Sequence, residues 1–351
     1  MDLVLHIGSG KTGTTSVQAL LHRNRETLVA RGVLFPATLG RPRHELFGLA
    51  MKPDAELVET APYRSQDPES PQAFRRRVRR RLFHEIEVAS PERVLISDEA
   101  LYGSHAASLE RLRRFTDRHA RHLRLVCYLR RQDDHLVSRY QQVVKVGEVR
   151  RLVDRFAQID HTHTYDYAAR LDLWSRLVDP DSFVVRRFER SAFAGGSLYP
   201  DFLDAVGLAI DVGELDAVPR QNDSLDAESV EFLRLLNCHR VATEGAQVGQ
   251  INNRRLVVRL AEHSAGPTLT LPERELDAFM ARWEDSNREV ARRYLDDESG
   301  KLFREPRKAD RTTTTQRLDP DRLDHLLAVT ELPGELHAPL RRLVEREAST
   351  E

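Results

Sequence analysis

The chain has 351 residues, with 54 Lys and Arg against 55 Asp and Glu and a formal net charge of −1. That length can bury a sizeable core, and the balanced charge argues against a nucleic-acid partner or a polybasic membrane anchor, so any anion site has to be local. Two cysteines, Cys127 and Cys238, cannot build a disulfide framework, and no run approaches the roughly 20 apolar residues that cross a bilayer, so the expectation is a soluble, cytoplasmic protein with no membrane span.

Residues 3–7, Leu-Val-Leu-His-Ile, read as a short buried strand. Gly8-Ser-Gly-Lys-Thr-Gly-Thr-Thr-Ser16 follows, and then a helical apolar pattern at Val17, Leu20, Leu21 and Leu28 that ends at Gly32. A second apolar run over 33–35 stops at Pro36. Residues 38–71 hold several prolines and no sustained period, which predicts an irregular excursion serving as a substrate-side lid. Phe74, Val78, Leu82 and Ile86 recur at helical spacing, and the arginines between Arg75 and Arg81 read as a solvated helix face. Ser90-Pro91 ends that helix before a strand over 94–96. A helix over about 108–120 leads into the near-continuous apolar strand 123–129 and a helix starting near Asp133. This alternation predicts an α/β fold of three layers, a central parallel sheet flanked by helices.

Beyond it the chain is more helical, with helices expected over 165–177, 200–206, 227–237 and 272–295 and one more strand over 183–187. No internal repeat or clear boundary is visible. The expectation is one domain over 1–310 and a polar, partly helical extension over 311–351.

A glycine-rich turn between a buried strand and a helix aims several backbone N–H groups and the helix dipole at one point, which makes an anion site. Thr12, Thr14, Thr15 and Ser16 add hydroxyl donors, and Gly10 and Gly13 allow close approach. Only five of the 54 basic residues are lysines, so a lysine inside this turn indicates a demand for a compact point charge. The nucleoside-triphosphatase loop needs its lysine after the second glycine; here Thr14 follows Gly13 and the lysine comes early, as Lys11. At the crest of the loop it suits stabilisation of a leaving group. A kinase or ATPase remains the alternative enzyme, because residues 94–99, Val-Leu-Ile-Ser-Asp-Glu, also read as a strand ending in a magnesium-binding Asp and a catalytic Glu. A catalytically silent nucleotide-binding protein is the third reading.

The strand ending at Leu129 runs into Arg130, and Ser138 follows eight residues later, so both can face one anion at the strand ends. Lys11-Thr-Gly-Thr-Thr15 and this Arg–Ser pair together resemble the sulfotransferases that use 3′-phosphoadenosine 5′-phosphosulfate (PAPS), above all the bacterial sulfotransferase family proteins. The resemblance extends through Asn24, 32–36, 197–207, 222–225 and 287–294 to about residue 303. It implies a P-loop-like fold and transfer of a sulfuryl group from PAPS to a hydroxyl or amine, with release of adenosine 3′,5′-bisphosphate (PAP). The acceptor class it implies is a carbohydrate, glycolipid or small metabolite.

By the same resemblance Thr12, Gly13, Thr14, Thr15 and Ser16 hold the 5′-phosphate, with Gly10 and Lys11 also in the cofactor site, Lys11 assists departure of the nucleotide, Arg130 and Ser138 grip the 3′-phosphate, and Phe188 contacts adenine. Gln132 stands where members often carry proline, Arg131 is a stand-in for Arg130, and the late Arg-Lys-Gly triplet of cytosolic members is absent. Two residues are candidates for the general base. Glu99 follows the strand that in cytosolic members ends in the catalytic histidine; His44 lies as far past the loop as the catalytic glutamate of some carbohydrate sulfotransferases. His161 and His163 lack a partner set for a metal, and no metal is expected.

Overall fold

The computed structural model describes residues 1–66, 70–219 and 224–349. Residues 222 and 223 of the family-like stretch 222–225, and residues 67–69 of the expected excursion, lie outside the described residues. The chain forms two compact units, one of Met1–Arg131, His161–Arg220 and Trp283–Glu305, the other of Gln132–Asp160, Gln221–Arg282 and Pro306–Glu351. This differs from the expected single domain to 310. The physical reason is visible at the C-terminus, where the helices Pro320–Thr330 and His337–Ala348 bury Leu323, Leu327, Leu340 and Val344. Residues past 311 are part of a core, not a polar extension.

The first unit is built on five parallel strands, β1 (Asp2–His6), β2 (Val33–Leu34), β3 (Arg93–Ser97), β4 (His122–Leu129) and β5 (Ser182–Arg187), in the order β2-β3-β1-β4-β5. Their apolar runs are near-continuous because both faces are covered. Leu3, Leu5, Val94, Ile96, Leu125 and Cys127 belong to one buried cluster, shared with the helices Ala106–His119 and Tyr167–Val178. Val4, Leu95, Val126 and Tyr128 point the other way, into a cluster completed by the helices Thr14–Arg23 and Leu198–Ala205. The unit is therefore the expected three-layer α/β arrangement. β1 lies at its centre, in register with both neighbours at His6↔Ser97 and His6↔Val126.

The second unit is mainly helical. A short parallel pair, β6 (Thr268–Leu269) and β7 (Arg311–Thr312), accompanies helices that include Gln132–Val144 and Ala227–Thr243. Arg234 is buried there between Glu231 (2.6 Å) and Glu347 (2.7 Å). The helix expected over 272–295 is two helices, Glu273–Ala281 and Glu284–Leu295.

The expected excursion is also corrected. Residues 45–64 form three short helices, Glu45–Met51, Asp54–Glu59 and Ala61–Arg64, which bury Phe47, Leu57 and Tyr63 in the core. Burial of these side chains fixes the segment as a packed layer.

A polar network fastens the ends of β1 and β3 beneath the turn that follows β1. His6 Nδ1 lies 2.9 Å from Ser97 Oγ, which also accepts from Gln18 Nε2 at 3.0 Å. The Ser97 backbone N–H donates to His44 Nδ1 at 3.1 Å, and the His44 N–H donates to the Ser97 carbonyl at 3.1 Å. The His44 ring packs on Phe35 with centroids 4.1 Å apart. Burial lowers the pKa of both histidines to about 3; at His44 the Pro36 carbonyl opposes this in part.

Both imidazoles are thus neutral in the fold, while in the unfolded chain they protonate below about pH 6.5. The unfolded state then binds the extra protons, so stability is lost as pH falls from about 6.5 towards 3. The expected loss is about 2 kcal/mol per histidine by pH 5. Urea midpoints compared at pH 7.5 and pH 5 should show it, and His44→Asn should remove about half of the histidine share. An unchanged acid loss in that variant would mean that the His44 ring protonates freely inside the fold.

Candidate functional site

The turn between β1 and the helix Thr14–Arg23 continues the sheet before it leaves it: the Ile7 N–H donates to the Val126 carbonyl at 2.9 Å and the Ser9 N–H to the Tyr128 carbonyl at 3.2 Å. The backbone then takes positive φ at Gly10 (79°), Lys11 (52°) and Gly13 (73°). Left-handed residues on both sides of Thr12 curl successive N–H groups toward one side, the geometry of an anion nest. Gly13 has a further reason to be glycine, since a Cβ there would overlap Leu198 Cδ2 and press on Phe188. The helix has no side-chain cap and no acid in its first turn, so its positive end is left for an anion.

The four hydroxyls divide into two pairs. Thr12 and Thr14 are buried, with Oγ1 atoms 3.5 Å apart; Thr15 is exposed and Ser16 half-buried. A Cβ placed on Gly8 would lie 3.3 Å from His6 Nε2, 3.4 Å from Thr12 Oγ1 and 3.6 Å from Thr14 Oγ1. Three polar atoms therefore converge on one point under the loop, and His6 Nε2 has no hydrogen-bond partner among the described residues. Sequence reading missed His6. Its signal was a histidine inside an otherwise apolar central strand, where a buried polar group needs a purpose.

Arg130 follows β4 and reaches across β1's turn: its Nη1 donates to the Lys11 carbonyl at 2.9 Å. The Arg130 carbonyl accepts from Tyr167 Oη at 2.6 Å, and the guanidinium lies 5.9 Å from the centre of the Phe188 ring. Phe188 extends β5, donating its N–H to the Leu129 carbonyl at 2.8 Å. Lys11, Gly13, Arg130 and Phe188 thus meet at one place in the first unit. The next residue, Glu189, is buried and accepts from the N–H groups of Arg304 and Glu305, both at 2.9 Å, which fixes the segment carrying Phe188. Arg131 Nη1 donates to the Glu305 carbonyl at 2.8 Å.

β3 ends beside this turn. Asp98, just past Ser97, is buried and pairs with Arg43 Nε at 2.7 Å. Burial raises its pKa against the pull of Arg43. Gly48 allows the contact, because a Cβ there would collide with Asp98 Oδ2. Glu99 opens a short 3-10 turn, Glu99–Gly103, and is half-buried. A pocket of about 120 Å³ beside it is lined by Arg43, Glu45, Asp98, Ala100, Ser104 and His105 among others.

The remaining expected residues lie elsewhere. His44 has no exposed surface, and its Nδ1 is occupied by the Ser97 N–H, so it packs β3 instead of facing a cleft. Ser138 is half-buried on the helix Gln132–Val144 of the second unit, and Gln132 at the start of that helix is buried. His161 is buried, and His163 Nε2 lies 3.1 Å from the Gly103 carbonyl.

No family model matches this chain. An uncharacterized protein of Archaeoglobus fulgidus is 29% identical over 204 residues, which are 58% of this chain and 54% of that protein. The chain spans about half the length of this curated relative. Among solved structures, the crystal structure of a sulfotransferase from Alicyclobacillus acidocaldarius aligns with a TM-score of 0.40 at 16% identity, over 70% of this chain and 97% of that one.

Proposed function

We propose that this chain is a sulfotransferase that moves a sulfuryl group from PAPS to a hydroxyl or amine acceptor. The observation that carries the reading is the early lysine, Lys11, held at positive φ on the crest of an uncapped strand–turn–helix loop and clasped from below by Arg130. In this reading the loop's N–H groups and the outward hydroxyls of Thr15 and Ser16 hold the 5′-phosphate. Arg130 takes the 3′-phosphate, and Phe188 lies against adenine. The acceptor oxygen attacks sulfur as the bond from sulfur to the phosphate oxygen breaks. Glu99 receives the acceptor's proton, and the Lys11 ammonium balances the charge that develops on the departing phosphate.

His44 is not the base of this proposal, since it is fully buried and its Nδ1 accepts from the Ser97 N–H. The polar groups of the pocket beside Asp98 and Ala100 suit a hydroxylated acceptor such as a carbohydrate, glycolipid or small metabolite. The kinase or ATPase reading loses support at Asp98. The carboxylate that would hold magnesium is buried in an ion pair with Arg43, and no lysine follows Gly13.

Binding of PAP and of ATP, each with and without magnesium, separates the two readings. Magnesium-independent PAP binding tighter than ATP binding is expected; magnesium-dependent preference for ATP would sink the sulfotransferase. With labelled PAPS and an acceptor found by screening, Lys11→Ala should lower kcat by about 10²- to 10³-fold and Glu99→Gln by about 10²- to 10⁴-fold. Arg130→Ala should weaken PAP binding by about 10- to 100-fold, the worth of one lost charged hydrogen bond. Full turnover in Glu99→Gln would remove Glu99 from the mechanism.

A further inference from the structure

A groove in the first unit lies outside the site above. Its walls are the helices Pro71–Ala89 and Ala106–His119, and its volume is about 340 Å³, within the range of small-ligand pockets. The floor is apolar, formed by Phe47, Met51, Val78, Leu82 and Phe115. Arginines line the walls: Arg75, Arg76 and Arg79 on one helix, Arg111, Arg114 and Arg118 on the other. Among the described residues no carboxylate lines it.

Arg75 has a structural task, donating to the carbonyls of Ala50 (3.0 Å) and Lys52 (2.6 Å) and pairing with Asp54. The other five make no ion pair or hydrogen bond among the described residues, and Arg111 Nε is buried without a partner. Burial, with Arg75 and Arg114 nearby, lowers the Arg111 pKa against the pull of Asp54. The same helix neutralises the arginine it turns away from the groove, for Arg113 pairs with Asp117 (2.6 Å) and Asp179 (2.9 Å). A solvated face mixes its signs; this groove collects one sign over an apolar floor. A free anion would satisfy the rim and leave the floor wet, whereas an apolar molecule would cover the floor and strand five cations. Guanidinium forks match the paired oxygens of phosphate or sulfate.

We propose that this groove binds a small anionic amphiphile, a phosphate or sulfate head held by the rim arginines with an alkyl or prenyl tail on the Phe47–Phe115 floor. The proposal is independent of the nucleotide reading.

Calorimetric titration with monomeric octyl phosphate tests it, with inorganic phosphate and octyl glucoside as the head-only and tail-only controls. One molecule of octyl phosphate per chain is expected, with each control weaker by about tenfold or more. Arg79→Gln combined with Arg114→Gln should weaken octyl phosphate by about tenfold or more and leave PAP binding unchanged. Both positions are exposed, and an unchanged thermal midpoint confirms that the variant is folded. Should that variant unfold, Arg118→Gln alone gives the same reading at smaller amplitude. The proposal is overturned if either control binds as well as octyl phosphate, if folded variants bind it undiminished, or if only phosphatidylglycerol vesicles or polyglutamate bind.

Discussion

The 2.9 Å hydrogen bond from Arg130 Nη1 to the Lys11 carbonyl joins the end of β4 to the crest of the turn after β1. A non-glycine residue in the left-handed region costs roughly 1–2 kcal/mol, and Lys11 occupies that region at φ 52°. A hydrogen bond from a charged donor contributes about 1.5–3 kcal/mol, enough to offset the cost. Arg130 is held in turn by Tyr167 on its carbonyl and by the Phe188 ring near its guanidinium. The shape of the turn is therefore set by three strand ends at once. Its lysine stays where the backbone N–H groups converge because β4 and β5 end where they do.

The opposite side of the turn is fixed by a different chemistry. His6, Ser97 and Gln18 make a neutral, buried network, and His44 extends it to the segment before the helix Glu45–Met51. A charged group in this position would need a partner in a low-dielectric interior. Neutral imidazoles need only hydrogen bonds, and they leave the electrostatics above the turn to Lys11 and the helix dipole. Floor and rim thus have separate roles: rigidity below, charge above.

What was legible in the sequence follows this division. β1, β3 and β4 stood out because strands covered on both faces are apolar throughout; Lys11 stood out as a lysine in the glycine-rich turn after β1, and Arg130 and Phe188 because each immediately follows a strand. Local adjacency is all that those inferences needed. His44 was illegible, since its role depends on Ser97, which lies 53 residues away. Thr12 resembled its neighbours, and only the fold turned its hydroxyl inward. Residues 45–64 hid their helices because each is one or two turns long, too short to display a period, and is held by tertiary burial. The unbroken apolar pattern over 272–295 hid a break at Arg282 and Trp283, where the chain passes from one compact unit to the other. Periodicity reports which face is buried and is silent on which body buries it.

Arginine usage carries the last step. Only five of the 54 basic residues are lysines, so abundance of arginine at any one place explains little. Pairing is more informative. Buried or half-buried arginines meet carboxylates repeatedly: Arg234 meets Glu231 and Glu347, Arg187 meets Asp297, Arg307 meets Asp133 and Arg43 meets Asp98. These pairs answer the desolvation that folding imposes on each cation. In the groove between the helices Pro71–Ala89 and Ala106–His119 the same chain leaves Arg76, Arg79, Arg111, Arg114 and Arg118 without an ion pair among the described residues, one of them with a buried nitrogen. Repulsion among these cations opposes packing the two helices together, and a single carboxylate turned into the groove would relieve it. Folding energetics supply no reason for its absence. The reason has to lie in what the groove meets, and a cationic rim above an apolar floor is complementary to a molecule with a charged end and a greasy one.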